Sequence, residues 1–279
     1  MKFSVFTVMM PDCTLEETVR LLQKYGYDGV EWRFTTLDPN RQNETPSFWV
    51  NNLSTVPADS SIEQLKSIAE LTKAHGLVIP NLAAYISTGD ILATEQAMKA
   101  AAVLGAPSIR IAVPGYNKDT RYWEALQSGR EYLAEVEKLS KRYSVKGTIE
   151  THHGNIASSA SAARRLVDGF DPDHIGVIYD PGNMVHEGFE AYRMGLEILG
   201  AYLAHVHVKN AASFYDVDSS QWRVAWRTID DGEVYWPQVI EALQAIGYDG
   251  WLSMEDFSMS APTEETLEKH ISYLKQFIT

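Results

Sequence analysis

The stretch IGVIYDPGN (175–183) is one of four short apolar segments in the second half of the chain that end in acidic or imidazole side chains; the others are GTIETHH (147–153), LAHVHVKN (203–210) and WLSMEDF (251–257). Short apolar runs bounded by polar and turn-forming residues are typical of buried strands in a parallel sheet. The carboxyl ends of successive parallel strands lie along one rim. The sequence therefore predicts that the polar ends of these four segments meet.

The alternation of short apolar segments with longer amphipathic ones runs through the whole chain. TLEETVRLLQKYG (14–26) is typical of the amphipathic segments. Thr14 and Glu17 have the spacing of a helix capping box, and Gly26 is a helix-ending residue. Strand–helix units joined by right-handed crossovers close most simply into a barrel. The eight predicted strands are 2–9, 29–34, 77–86, 108–114, 147–152, 175–180, 203–209 and 251–257.

This pattern predicts an α/β protein, a (β/α)8 TIM barrel forming a single domain over residues 1–279, with long loops on its C-terminal rim. A doubly wound open sheet is the alternative, but no GxGxxG or GxxxxGK[ST] motif follows the first strand. Residues 35–61 and 211–231 are too long for plain connections. We expect these two loops to cover an active site and to offer contact surface for a homo-oligomer.

The composition limits the classes of partner. The chain has 279 residues, of which 45% are hydrophobic and 22% charged, as in ordinary globular proteins. The formal net charge of −13 repels phosphate backbones, so nucleic acid is disfavoured as a partner. Cys13 is the only cysteine, which excludes an intrachain disulfide and a thiolate zinc site. Since no apolar stretch is long enough for a membrane helix, we expect a soluble, cytoplasmic protein without a membrane partner.

The polar strand ends predict a binding site for a divalent metal ion. Several acidic and imidazole groups on one rim need a shared cation to offset their charges. Three carboxylates and one imidazole suit Mn²⁺ or Mg²⁺, with Co²⁺ and Zn²⁺ as alternatives. His205 and His207 share a strand face, and His207 lies nearer the open rim. The predicted metal ligands are Glu150, Asp180, His207 and Glu255.

Four segments together resemble a known family: IETHHGN, IYDPGNM, HVHVKN and GYDGWLSMED. Their order and separation are similar to those of the sugar-phosphate isomerase/epimerase branch of the xylose isomerase-like TIM barrel superfamily. This branch includes ketose 3-epimerases, inosose isomerases and dehydratases, and AP-endonuclease relatives. The resemblance implies that Glu150, Asp180, His207 and Glu255 bind a divalent cation. It also implies that Glu150 and Glu255 are catalytic and exchange protons with opposite faces of a substrate carbon.

Five further residues are candidates for contact with a small-molecule sugar substrate: Glu31, Arg110, His152, Asn183 and Lys209. Cationic and hydrogen-bonding side chains on barrel strands hold hydroxyl or carboxylate groups. For Glu31, an ion pair with Arg33 or Arg110 is the alternative. Asn183 stands where the ketose 3-epimerases carry a His, which weakens that particular assignment.

The predicted function is a metal-dependent sugar isomerase or epimerase that works by enediolate proton transfer on a ketose, inosose or related polyhydroxylated substrate. An inosose-type dehydratase that uses the same metal site is one alternative. A non-catalytic sugar-binding barrel is another. Most Trp and Tyr residues are expected in the core, with Trp32 and Trp222 as candidates for stacking on a sugar face.

Overall fold

The computed structural model describes residues 1–278 and confirms the predicted (β/α)8 barrel. The strands are β1 (Lys2–Phe6), β2 (Gly29–Thr35), β3 (Thr55–Pro57), β4 (Leu82–Ala84), β5 (Ser108–Arg110), β6 (Lys146–Glu150), β7 (Ile175–Tyr179), β8 (Leu203–Val208), β9 (Asn210–Asp216), β10 (Gln221–Arg227) and β11 (Trp251–Met254). All of these except β3, β9 and β10 are the eight parallel strands of the barrel, which β1 closes by pairing with both β2 and β11.

Helices surround the barrel and cover its outer face. The capping box of the first helix forms as predicted, because the Thr14 side chain accepts from the Glu17 N–H while Glu17 accepts from the Thr14 N–H. This helix ends at Gly26, whose φ of 73° is left-handed. The helices are α1 (Leu15–Tyr25), α2 (Ile62–Ala74), α3 (Ile91–Leu104), α4 (Tyr122–Tyr143), α5 (Ala160–Val167), α6 (Pro181–Met184), α7 (Tyr192–Leu199), α8 (Trp236–Ala245) and α9 (Thr263–Leu274).

Most predicted strands end earlier in the structure, and two of them lose more than half of their length. The segment 77–86 forms strand β4 only over Leu82–Ala84, since Pro80 lacks the N–H that a sheet ladder needs. The segment 108–114 leaves the sheet after Arg110, and its last residues line a cavity at the rim.

The two long rim loops contain structure that the sequence pattern did not predict. Strand β3, within the first loop, pairs with β2 through Arg33 and Thr55. The second loop forms an antiparallel hairpin of β9 and β10, with Asp216 opposite Gln221. Ser220 in its turn has a φ of 54°. Among residues 1–278, no helix is both long and apolar enough to cross a membrane.

Alternation along β2 sorts its side chains between the two faces of the barrel wall. Trp32 is fully buried on the outer face, where its indole N–H donates to Thr72 Oγ1 of α2 at 3.3 Å. Trp32 therefore packs in the core, as expected for most Trp residues, and is not available to stack on a sugar. Glu31 and Arg33 lie on the opposite face of the strand and point into the barrel.

Candidate functional site

The structure brings the four predicted metal ligands together at the C-terminal end of the barrel. Glu150 ends β6, Asp180 follows β7, His207 lies in β8 and Glu255 follows β11. One ligand atom from each residue lies within 4.8 Å of the others. His207 Nδ1 is 3.1 Å from Glu150 Oε1, 3.9 Å from Asp180 Oδ2 and 3.7 Å from Glu255 Oε2. All four side chains are buried.

These separations fit a six-coordinate divalent cation. Bonds of about 2.1 Å place neighbouring ligand atoms about 3 Å apart and opposite ones about 4 Å apart. The distances from His207 Nδ1 to the three carboxylates fall within that range. The donor set, three carboxylate oxygens and one imidazole nitrogen, also fits a hard or borderline cation.

Two neighbouring side chains donate hydrogen bonds to the same carboxylates. The Lys209 ammonium lies 2.9 Å from Asp180 Oδ2 and 2.5 Å from Glu255 Oε2. The Asn183 amide donates to Asp180 Oδ2 at 2.7 Å and to Glu150 Oε1 at 3.1 Å. Asn183 is fully buried and lies between two predicted metal ligands. Asn183 is therefore placed to orient these two carboxylates.

The ionisation of the cluster reflects its burial and its crowding. The pKa of Asp180 is raised to about 7, because burial and the charges of Glu150 and Glu255 outweigh the opposing charge of Lys209. Burial also acts to raise the pKa of Glu150, but Arg110 and His207 outweigh it and hold that pKa well below its usual value. Arg110 Nη1 donates to Glu150 Oε2 at 2.9 Å. The ionised forms of these carboxylates are therefore stabilised by nearby positive charge.

Glu31 is buried inside the barrel and is not among the residues that line the rim cavity. Its carboxylate is fully buried and accepts from His207 Nε2 at 3.2 Å, from His205 Nε2 at 3.1 Å and from Asn81 Nδ2 at 2.7 Å. Neither Arg33 nor Arg110 forms an ion pair with it among the described residues. The expected pairing with Arg33 or Arg110 is therefore wrong, since the partners of Glu31 are imidazoles and an amide. The side chain of His207 thus connects Glu31 with the cluster.

A cavity of about 490 Å³ opens over the cluster. Both predicted catalytic glutamates lie in its wall, together with three of the predicted substrate contacts: Arg110, His152 and Lys209. Four aromatic side chains that the sequence did not single out complete the wall: Trp49, Tyr85, Trp226 and Phe257. Trp49 comes from the first long loop and Trp226 from the β9–β10 hairpin. The two loops therefore enclose the cavity as predicted, whereas Trp222 is 73% exposed and does not line it.

Three imidazoles are stacked beside this cavity. The ring centroids of His152 and His153 are 4.3 Å apart, and those of His153 and His186 are 4.0 Å apart. The ring of Trp226 lies 4.7 Å from His186. Burial, together with the charges of His153 and Lys209, lowers the pKa of His186 to about 4.

This stack predicts a specific loss of stability in acid. Because the folded protein holds the pKa of His186 below that of the unfolded chain, the unfolded chain binds more protons between about pH 6.5 and 4. We expect stability to fall through that window by about 1 kcal/mol more in the wild type than in His186→Phe, which keeps the stacking but cannot titrate. Urea unfolding at pH 7 and pH 4.5 measures the difference. An equal loss in both proteins would contradict the prediction.

A sequence model of the xylose isomerase-like TIM barrel family matches residues 19–277. The chain belongs to this family. Inosose dehydratase 2 of Bacillus cereus is 27% identical over 161 residues, which cover 52% of this chain and 52% of that protein. Inosose dehydratase of Bacillus cereus (strain AH820) is 23% identical over 247 residues, covering 82% and 75%. The chain spans about half the length of the first curated relatives that it matches.

Solved structures share the family fold over nearly the full chain. The IOLI protein with a bound zinc atom has a TM-score of 0.73 and 20% identity, covering 99% of this chain and 96% of that one. The probable 3-DHS dehydratase AsbF of Bacillus anthracis gives 0.75 and 16%, with 99% of both chains covered. D-psicose 3-epimerase in the presence of D-fructose gives 0.74 and 14%, covering 100% and 99%. At these identities, of 14 to 20%, the comparison shows the fold alone.

Proposed function

We propose that the protein is a divalent-metal-dependent isomerase or epimerase that acts on a ketose, inosose or related polyhydroxylated substrate. The placement of Glu150 and Glu255 carries this proposal. Both residues belong to the four-residue cluster, and both line the cavity above it. The names of the inosose dehydratase relatives and of D-psicose 3-epimerase support a substrate of this class.

The cluster would hold Mn²⁺ or Mg²⁺ through Glu150, Asp180, His207 and Glu255, with Co²⁺ and Zn²⁺ as alternatives. Once bound, the cation would polarise a substrate carbonyl and its neighbouring hydroxyl, which acidifies the adjacent carbon-bound proton. His207 is held from its far side by Glu31, and Asn183 holds two of the carboxylates. These hydrogen bonds favour one arrangement of the four ligands.

The two glutamates are suited to move the proton. One carboxylate removes it from the substrate carbon, leaving an enediolate, and the other returns a proton on the opposite face. One oxygen of each glutamate belongs to the four-residue cluster, and both side chains line the cavity, so each carboxylate can face a substrate bound above the cluster. Arg110, His152 and Lys209 in the cavity wall would bind the substrate oxygens.

Solvent deuterium exchange tests this proposal. The protein is stripped with a chelator, reloaded with Mn²⁺ and incubated in D₂O with a panel of neutral and acidic ketoses and with inososes. We expect deuterium to enter the substrate carbon only in the metal-loaded protein. Exchange at the same rate after chelation, or no exchange with any member of the panel, would contradict the proposal.

A dehydratase is the second candidate, and the position of Lys209 favours it. Its ammonium is buried, lines the cavity and lies 2.5 Å from Glu255 Oε2. An ammonium at that place could protonate a departing β-hydroxyl after the carbon-bound proton has left. The relatives named as inosose dehydratases agree with this chemistry. Mass spectrometry of the product separates the two candidates, because dehydration yields a product lighter by one water and epimerisation leaves the mass unchanged.

A further inference from the structure

Arg33 is a buried cation without a carboxylate partner among residues 1–278. The residue is only 6% exposed. Its Nη1 donates to Thr55 Oγ1 at 2.6 Å, while its buried Nε has no hydrogen-bond partner. A guanidinium stays protonated in proteins, so this charge cannot be relieved by losing a proton. A buried charge without a counter-ion is costly, which points to an anion that completes the site.

The guanidinium of Arg33 faces a second cavity, of about 460 Å³, under the first long loop. Asn52 and Thr55, both buried, lie in its wall beside Arg33. Its remaining charged residues are exposed. Arg41 is already paired there with Glu44 at 2.7 and 2.8 Å. The carboxylate of Asp38 also lies at the exposed end of the cavity, so an anion would bind at the buried end, next to Arg33.

This second cavity adjoins the cavity above the metal cluster. Trp49 lies in the wall of both. The guanidinium carbons of Arg33 and Arg110 lie 5.0 Å and 4.6 Å from the centre of the Tyr85 ring. Burial lowers the pKa of Arg33, Tyr85 opposes this shift, and the charge of Arg110 adds to it. Two guanidinium groups thus lie beside Tyr85. Arg110 forms an ion pair with Glu150, whereas Arg33 has no carboxylate partner among residues 1–278.

We infer that Arg33 binds an anionic group of the substrate, a carboxylate or a phosphate, while the reacting carbon lies over the metal cluster. The inference rests on the proposed function and narrows its substrate class to acidic sugars. The donors of a guanidinium match the oxygens of a carboxylate or phosphate, which gives such a site selectivity as well as affinity. Thr55 and Asn52 fix the position of the site, since Asn52 Oδ1 accepts from the Thr55 hydroxyl at 3.3 Å.

Matched pairs of ketoses test the inference. D-Fructuronate carries a carboxylate where D-fructose carries a hydroxymethyl group, and D-fructose 6-phosphate carries a phosphate on that hydroxymethyl group. Calorimetry with the Mn²⁺-loaded full-length protein measures their binding, with acetate and inorganic phosphate as free anions. We expect at least one acidic ketose to bind about tenfold or more tightly than D-fructose, and also more tightly than the free anions.

Substitutions assign that preference to Arg33. In Arg33→Gln we expect the acidic ketose to lose its advantage over D-fructose, while Arg33→Lys keeps part of it. Arg41→Gln removes the same charge from the exposed side of the same cavity and should preserve the preference. The variants are compared with the wild type by thermal melting, so that a folding defect is recognised.

Three results would overturn the inference. The first is that the wild-type protein binds the acidic ketoses no more tightly than D-fructose, or binds neither. This outcome does not depend on how any variant folds. The second is a preference that survives in folded Arg33→Gln. The third is binding of free phosphate or acetate as tight as that of the acidic ketoses, which would make the site one for a free anion. An Arg33-dependent preference without deuterium exchange would instead refute the proposed function alone.

Discussion

Replacing Glu150 by Gln, and separately Glu255 by Gln, is expected to lower solvent deuterium exchange into the substrate by about 10³-fold or more. Gln keeps the size of the side chain but cannot accept a proton from carbon. Removing one positioned acid–base group costs about 10²- to 10⁴-fold. Each residue is also a proposed metal ligand, so part of the loss reflects weaker electrostatic stabilisation.

The two variants should differ in which substrate they fail to deprotonate. If Glu150 and Glu255 act on opposite faces of one carbon, each variant loses exchange from a different epimer first. Asp256→Asn is a useful control, because Asp256 neighbours Glu255 but pairs with His270 at 2.9 Å. Metal content, measured on every variant, separates a lost base from a lost cation. Wild-type exchange rates in both Gln variants would refute the proton-transfer roles.

The cluster at the strand ends could be predicted because it depends on simple geometry. Parallel strands end on one rim, and side chains two apart on a strand share a face. These two rules were sufficient to group Glu150, Asp180, His207 and Glu255, which the structure brings within 4.8 Å of one another. The same rules placed the two long loops on the rim.

The depth of Glu31 could not be predicted, because alternation gives the face of a strand but not the height within the barrel. Glu31 and Arg33 both point inward from β2, yet Glu31 contacts the imidazoles of His205 and His207 while Arg33 faces a cavity under the first long loop. The height of each side chain depends on how neighbouring strands are staggered. That stagger is a property of the closed barrel as a whole.

The aromatic wall of the cavity was missed for a related reason. Trp49 lies outside any helix or strand, and Trp226 belongs to a hairpin within a segment expected to be a loop. Their ring positions depend on how the loops pack. The ring centroid of Phe257 lies 5.4 Å from that of Trp49 and 5.7 Å from that of Trp226. No local sequence pattern encodes contacts between such distant segments.

The hydrogen bonds of His207 connect the buried interior with the proposed metal site. Its Nε2 donates to both oxygens of Glu31 at 3.2 Å, which leaves Nδ1 facing Glu150, Asp180 and Glu255. A carboxylate on the far nitrogen fixes the ring orientation and increases the basicity of the ligating nitrogen. Glu31 is itself held by Asn81 and His205. We therefore propose that Glu31 is a positioning residue for His207.

Glu31→Gln is expected to weaken metal binding about 10- to 100-fold, because the neutral amide no longer stabilises the ligating tautomer of His207. Competition with a coloured chelator measures the affinity, and the visible spectrum of the Co²⁺-loaded protein reports the ligand geometry. Glu63→Gln removes the same charge from the exposed surface of α2 and should leave both unchanged. A change in both metal affinity and the Co²⁺ spectrum would show that Glu31 positions His207. If both are unchanged in Glu31→Gln while deuterium exchange is impaired, Glu31 contacts the substrate instead.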